Sequence, residues 1–287
     1  MTQSESERGI TTLSFYRYVH LKDLNVLMEQ LRAEWLSLGV LGRTYLAAEG
    51  INAQVSIPTL NLNAFKAAVW RVFPAIPFKI AVEEKNQAFT KLKIKVRPKL
   101  VADGLTDEAF DVTQVGQHLT AREFNDAIGQ DGTIVVDLRN HYECEVGRFE
   151  NAVLPRANTF REALPEVLES LKGNEDSKLL LYCTGGIRCE KASAWFKFHG
   201  FTDVNQLHGG IIDYARQVKE EGLPSLYRGK NFVFDKRLSE SITDDVLAHC
   251  HQCESPWDQH TNCRFEGCNR LFLQCPACRE EFDACCS

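Results

Sequence analysis

An α+β domain, then an α/β domain with a parallel sheet, then a short cysteine-rich module is the fold class this sequence predicts, over residues 11–100, 119–224 and 225–287. Three observations predict it. Before Lys99, strand-like and helix-like patterns follow the order β-α-β-β-α-β. After Gly132, apolar strands alternate with amphipathic helices. Finally, eight of the 11 cysteines lie between Cys250 and Cys286. The hydrophobic share of 44% and charged share of 25% are those of soluble globular protein. No run approaches the roughly 18 apolar residues that cross a bilayer, so no membrane partner is expected. A net charge of −6 argues against general polyanion binding, so any nucleic-acid contact has to use a local basic patch.

In the first domain, TTLSFYRYV over 11–19 is aromatic and β-branched, a strand by composition. Leu24, Leu27, Met28, Leu31, Trp35 and Leu38 fall on one helical face, with Gly39 where a C-cap belongs. VLGRTYLAAEGINAQVSIP reads as two strands joined through Glu49-Gly50. A second helix carries Phe65, Ala68, Val69, Val72 and Phe73 before Pro74 stops it, and a strand covers 78–83. This order is that of a ferredoxin-like, or acylphosphatase-like, domain with its helices on one face of an antiparallel sheet.

Next, Lys91, Lys93, Lys95, Arg97 and Lys99 alternate with Leu92, Ile94, Val96 and Pro98. In a strand the five cations share one side, and Lys85 adds another charge with no acid between. Edge lysines also guard a sheet against aggregation. Mixed signs would serve that purpose equally well, so charge of one sign favours a phosphate-binding face.

Residues 100–118 are rich in Asp, Thr and Gly and read as a linker. Thr120 and Glu123 form a capping box that starts a helix through Phe124 and Ile128. There follow strand TIVVDLR, a loop to Arg161, helix EALPEVLESLK, strand KLLLYC, helix CEKASAWFKFHG, strand TDVNQL and helix IIDYARQVKEEG. Continuous apolar strands between helices indicate a parallel sheet covered on both faces. Ligands of such sheets sit beyond the carboxyl ends of the strands. Two loops, over 137–148 and 183–188, occupy that edge.

Cys183-Thr184-Gly185-Gly186-Ile187-Arg188 leaves the buried strand and enters a helix. Its glycines let successive amides point inward as an anion-binding nest at the helix N-terminus. A thiol there is expected to ionise early, because the amides, the helix dipole and Arg188 all favour the thiolate. The alternative, a structural cysteine on a sharp turn, does not account for Gly-Gly and an arginine at a fixed offset.

That six-residue loop resembles the active-site loop of rhodanese domains, whose cysteine carries a persulfide. Asp137, Arg139, Glu143 and Gly147 upstream and Leu207-His208-Gly209-Gly210 downstream match as well. Cysteine phosphatases use a cradle one residue longer, about the size of a tetrahedral phosphate, so phosphatase activity ranks low. Taken with AEGINAQVSIP, KLKIKVRPKLV and the tail HCHQC…NC…C…QCPAC…CC, the chain is similar to the TrhO family, also called UPF0176 or YceA-like, over nearly its whole length. Members are tRNA uridine hydroxylases that use O2 to convert a wobble uridine to 5-hydroxyuridine. The resemblance implies the same reaction, with Cys183 as the family's loop cysteine and Cys189 as its second.

No dinucleotide fingerprint and no 2-His-1-carboxylate set can be recognised. A covalent route is therefore expected: Cys183 thiolate adds to uracil C6, Arg188 and loop amides stabilise charge, and Cys189 resolves oxidised Cys183. The reductant is unknown. For the tRNA anticodon loop, phosphate contacts are expected from Lys91, Lys93, Lys95, Arg97 and Lys99. Tyr227-Arg228-Gly229-Lys230-Asn231-Phe232 mixes cations and aromatics that would suit a splayed base, although an ordinary segment packing its aromatics is the simpler reading.

In the tail, the pairs Cys250/Cys253 and Cys275/Cys278 are two CxxC knuckles separated by 21 residues, a zinc pattern. Cys263, Cys268, Cys285 and Cys286 would make a second, cross-braced site, with His251 and His260 as spare ligands. An iron–sulfur cluster, disulfides or free thiols are the alternatives. The first ten residues hold no basic or apolar signal region, so a reducing, cytoplasmic location is expected. The competing functions are a sulfurtransferase working through a Cys183 persulfide, which needs neither basic strand nor extra modules, and a zinc-bearing adaptor, which needs neither Cys183 nor Arg188.

Overall fold

The computed structural model describes residues 9–81, 88–105 and 110–287. Lys85 and the end of the strand expected over 78–83 lie outside these residues. The chain divides into two compact units: the described residues up to Ala102 with Asp235–Arg237, and 103–234 with 238–287.

The first unit runs β1 (Ile10–Tyr18), α1 (Leu24–Ser37), β2 (Leu41–Ala47), β3 (Gly50–Pro58), α2 (Leu62–Val72), β4 (Lys79–Ile80) and β5 (Leu92–Val96). The sheet order β4-β1-β3-β2-β5 is the ferredoxin-like order with one strand added at the β2 edge. That added strand is the basic segment, and it pairs parallel to β2. Alternation decides the faces. Leu13, Phe15, Ala53, Val55 and Ile94 join Leu31, Trp35, Phe65 and Val69 of the helices in one core. Phe15, Trp35 and Phe65 pack edge-on or tilted with centroids 5.2–6.2 Å apart. Such pairs add about 0.5–1.5 kcal/mol each beyond the apolar area they bury.

The second unit runs β6 (Gln117–Leu119), α3 (Ala121–Ile128), β7 (Thr133–Asp137), α4 (His141–Glu145), β8 (Gly147–Phe149), α5 (Phe160–Ser170), β9 (Lys178–Tyr182), α6 (Ile187–Phe198), β10 (Asp203–Leu207), α7 (Gly210–Glu221), β11 (Tyr227–Phe232), β12 (Ser239–Ser241), β13 (His260–Asn262), β14 (Leu271–Leu273) and α8 (Pro276–Glu281). Its main sheet, β6-β10-β9-β7, is parallel throughout. Leu180 and Tyr182 of β9 face the core shared with α3 and α7. Leu179 and Leu181, of opposite parity, are equally buried and face the other way. The expected capping box holds, Thr120 accepting from the Glu123 N–H and Glu123 from the Thr120 N–H.

Two segments differ from expectation, and a third follows the simpler of its two readings. The described residues of 100–118 are not a loose linker: β6 joins the sheet, Phe110 packs on Trp195 at 5.4 Å, and buried Asp103 pairs with buried Lys191 at 2.6 Å. A three-residue strand carries no periodic signal and exists only through its partner β10. The loop after β7 contains α4 and β8, whose Phe149 lies 4.8–5.4 Å from Phe124, Tyr182, Tyr214 and Tyr227. The segment Tyr227–Phe232 is strand β11, paired with β8 and β12. Its Tyr227, Asn231 and Phe232 are buried, Arg228 bonds Asp245 and Lys230 bonds Asp258. It is therefore the packing segment and not a grip for a base.

Candidate active site and cysteine clusters

Cys183 follows β9, an inner strand, at the carboxyl edge of the parallel sheet. The Ile211 and Ile212 N–H groups of α7 donate to the Cys183 and Thr184 carbonyls at 3.0 and 3.2 Å. This close approach needs Gly210: at its φ of +68° a Cβ would sit 2.5 Å from the Cys183 carbonyl oxygen. The Leu207-His208-Gly209-Gly210 motif is thus the wall against which the cysteine loop rests.

Inside the loop, the Gly186 N–H donates to Cys183 Sγ at 3.1 Å. Burial pushes the Cys183 thiol up. The hydrogen bond from the Cys189 thiol, the Arg188 charge and the Cys189 and Arg188 amides outweigh it, bringing the pKa from 9.0 to about 5. Cys189, deeply buried and facing that thiolate, is held well above the usual thiol range. The pair is therefore one thiolate and one thiol at neutral pH. Both residues are fully buried, so the sulfur sits beneath the loop rather than at its mouth.

Arg188 does not face outward as a free anion clamp. Its Nη1 and Nη2 donate to Glu143 Oε1 and Oε2 at 2.7 and 2.9 Å. Glu143, fully buried, also accepts from the Asn140 N–H at 2.9 Å and the Thr184 hydroxyl at 3.2 Å. Glu143 matched the rhodanese pattern without an assigned role, and the structure makes it the partner that holds Arg188. Its signal was local: Asn140 with Glu143 three residues on is a capping box at the start of α4. Asp137 and Arg139 are the framework below. Arg139 is fully buried, bonds both Asp137 oxygens at 2.6–3.1 Å, and donates to the Gly147 carbonyl at 2.6 Å.

The tail packs on the same segment. Val146 shares a small core with Ala248, Leu273 and Trp257. His251 Nε2 lies 3.1 Å from Glu145 Oε1. The buried His260 ring packs edge-on to Tyr142 and Phe232 at 6.3 and 5.2 Å. Neither histidine joins a cysteine cluster. The Cys250, Cys253, Cys275 and Cys278 sulfurs lie within 4.8 Å of one another, as do those of Cys263, Cys268 and Cys286. Cys285 is not within 4.8 Å of all three, but its thiol neighbours the Cys263 sulfur and lies 3.7 Å from the Asp283 carbonyl. All the cysteines are free thiols. A tetrahedral zinc with Zn–S about 2.3 Å spaces its sulfurs about 3.8 Å apart; Cys253–Cys275 and Cys268–Cys286 are at 3.6 and 3.7 Å. The first cluster fits zinc with four thiolates, and the second offers three.

In the first unit, Lys93 and Lys95 are exposed on β5 with Ile94 buried between them, and Lys91 and Arg97 are exposed on either side. Lys99 is half-buried. Among the described residues, no helix is long and apolar enough to cross a membrane.

Three family models match: a UPF0176 acylphosphatase-like domain over 10–100, a rhodanese-like domain over 120–217 and a "Rhodanase C-terminal" segment over 228–287. A protein of Leptospira interrogans named tRNA uridine(34) hydroxylase is 58% identical over 96% of this chain and 76% of its own length. One of the same name from Escherichia coli O81 is 49% identical over 96% of this chain and 80% of its own. Among solved structures, the rhodanese-like domain of the Anabaena Alr3790 protein covers 40% of this chain and 80% of its own, with 16% identity and a TM-score of 0.32. That likeness carries no weight beside the sequence relatives. On identity and on coverage of both chains, this chain belongs to the tRNA uridine(34) hydroxylase family.

Proposed function

We propose that this protein hydroxylates C5 of the wobble uridine of tRNA, giving 5-hydroxyuridine with O2 as the oxygen source. The observation that carries the reading is the 58% identity, over 96% of the chain, to a relative named for that uridine. The sulfurtransferase alternative has no such support.

Dioxygen reacts slowly with closed-shell carbon, so C5 must first become electron-rich. Cys183 thiolate does this by adding to uracil C6, which leaves enolate density at C5. C5 then captures O2 as a hydroperoxide. The Cys189 thiol takes the distal oxygen and becomes a sulfenic acid, leaving C5 hydroxylated. Loss of the C5 proton expels Cys183, which condenses with the sulfenic acid to a disulfide and water. The balance is uracil, O2 and two thiols to 5-hydroxyuracil, water and a disulfide, which an external reductant then resets. Arg188, held by Glu143, keeps the positive charge beside the sulfur throughout.

The sulfur is sealed and Thr184 is tied to Glu143 and the Ile212 amide, so uracil reaches the sulfur only when the loop opens at Gly185. A Cβ on Gly185 would meet nothing within 4 Å, which leaves that stretch room to move. Lys91, Lys93, Lys95, Arg97 and Lys99 supply phosphate contacts to the tRNA, whose single-stranded anticodon loop can present the base flipped out. Zinc on Cys250, Cys253, Cys275 and Cys278 is structural: it holds the tail that packs beside Glu143. A tRNA substrate supports a cytoplasmic location.

Mass spectrometry of tRNA nucleosides from cells with and without the gene tests the reading. Loss of 5-hydroxyuridine on deletion, with isotope from labelled O2 incorporated when the gene is present, is the expected result. Unchanged 5-hydroxyuridine, or a change confined to thiolated nucleosides, would overturn it.

A further inference from the structure

The outward face of the first unit's sheet takes no part in the cysteine chemistry. Strands β1–β5 contain no aspartate or glutamate, although the chain as a whole has 39 acids against 33 bases. These strands therefore carry cations and no carboxylate.

Strand pairing fixes which residues share that face. Arg43 lies opposite Gln54 on β3 and Lys93 on β5, and Tyr45 lies opposite Asn52 and Lys95. Opposed residues in a ladder point to the same side. Thr44, Leu46, Ala53 and Ile94, of the other parity, are buried toward the helices. The outward rows are thus Gln54–Arg43–Lys93 and Asn52–Tyr45–Lys95. Arg43, Lys93 and Lys95 are exposed, and Tyr45, Asn52 and Gln54 are half-buried. Arg97 reaches over the Tyr45 ring at 5.6 Å, a water-exposed contact that a base can replace. The far end of the face is closed: buried Lys79 lies 3.8 Å from the Tyr16 ring centroid.

An aromatic ring ringed by cations and side-chain amides on a sheet suits one chemistry better than others. Phosphate alone, or an acidic peptide, has no use for the ring, and a duplex keeps its base faces stacked inside. Single-stranded RNA uses every part: a base stacks on the ring, amides meet its edge and cations meet the backbone. Lys93 and Lys95 stand about 6.6 Å apart along the strand, close to the spacing of successive phosphates in an extended chain.

We propose that the face of β2, β3 and β5 binds a single-stranded segment of the RNA substrate, with one base stacked on Tyr45, its edge met by Asn52 and Gln54, and phosphates held by Arg43, Lys93 and Lys95. This rests on the tRNA reading and adds to its phosphate contacts the base-stacking ring, the base-edge amides and the single-stranded form of the RNA.

Fluorescence anisotropy of the full chain with a labelled anticodon stem-loop RNA, over a range of salt, tests it. Tyr45→Ala is expected to weaken binding about 5- to 150-fold without changing the salt slope, whereas Tyr45→Phe stays near wild type. Lys93→Ala with Lys95→Ala is expected to lower the slope of log K against log salt by about 1.4. Thermal melts check that each variant is folded. If the wild type binds no stem-loop, the tRNA reading falls and this inference with it. If it binds and folded Tyr45→Ala binds equally well, or polyglutamate competes as well as RNA of equal length, the inference is wrong while the tRNA reading stands.

Discussion

Cys183 and the cysteines of the tail carry the same side chain in opposite surroundings. Around Cys183 the neighbours are backbone amides, one thiol and an arginine, and the result is a single thiolate held near a pKa of about 5. In the tail, amides also reach some sulfurs, as the Cys275 N–H reaches Cys250 Sγ at 3.4 Å. But the sulfurs are crowded on one another, 3.6 Å apart for Cys253 and Cys275, and among the described residues no arginine stands between them in place of a metal. Amides and one cation stabilise a thiolate but leave it a lone pair to donate, which is what a nucleophile needs. Four thiolates crowded together repel one another, and only a cation among them makes the arrangement stable. Chemistry and scaffold are thus separated by what surrounds the sulfur, not by the sulfur itself.

The largest effect should come from the tail. Stripping metal with a strong chelator removes about 10–16 kcal/mol of folding free energy from such a module. Trp257 packs against Cys250, Cys275 and Cys278, so its fluorescence reports the change. Loss of that signal together with release of zinc is expected. Native protein that contains no metal and keeps the same Trp257 signal would show the clusters to be something else.

The split between nucleophile and scaffold was legible from local pattern. Cys183 and Arg188 have four residues between them, Gly-Gly included, and the CxxC pairs announce themselves by spacing. The ferredoxin-like strand order could be read because each of its elements carries its own period. What could not be read depends on residues far apart in sequence. The Asp103–Lys191 pair joins the start of the second unit to α6, β6 exists only as a partner of β10, and His260 meets Tyr142 across more than half that unit. The sealing of Cys183 belongs to the same class, since the wall is Gly210 and its neighbours.

A smaller effect sharpens the cysteine-loop side of the comparison. Glu143→Gln removes the carboxylate that clasps buried Arg188 and leaves only the Cys183 thiolate to offset its charge, which should cost up to about 3–5 kcal/mol in urea unfolding. A loss below about 1 kcal/mol, typical of surface pairs, would mean that the clasp is not what fixes the arginine. The tail's zinc content should be unaffected.

A further effect is a pH dependence. The Cys183 pKa falls from 9.0 to about 5 on folding, so between those values the unfolded chain binds the extra proton. Its contribution to stability is fully present above pH 9, declines as pH falls, and is gone below pH 5. The stability difference between wild type and Cys183→Ser, from urea melts, should therefore grow as pH rises through that window. A difference independent of pH would mean that Cys183 is not ionised in the folded protein.

The most direct test of the account is to return Cys183→Ser to cells lacking the gene and quantify 5-hydroxyuridine in their tRNA. The account predicts a fall of at least about 10³-fold relative to wild type, with stem-loop affinity retained by the purified variant. Normal 5-hydroxyuridine in the Cys183→Ser strain would contradict it.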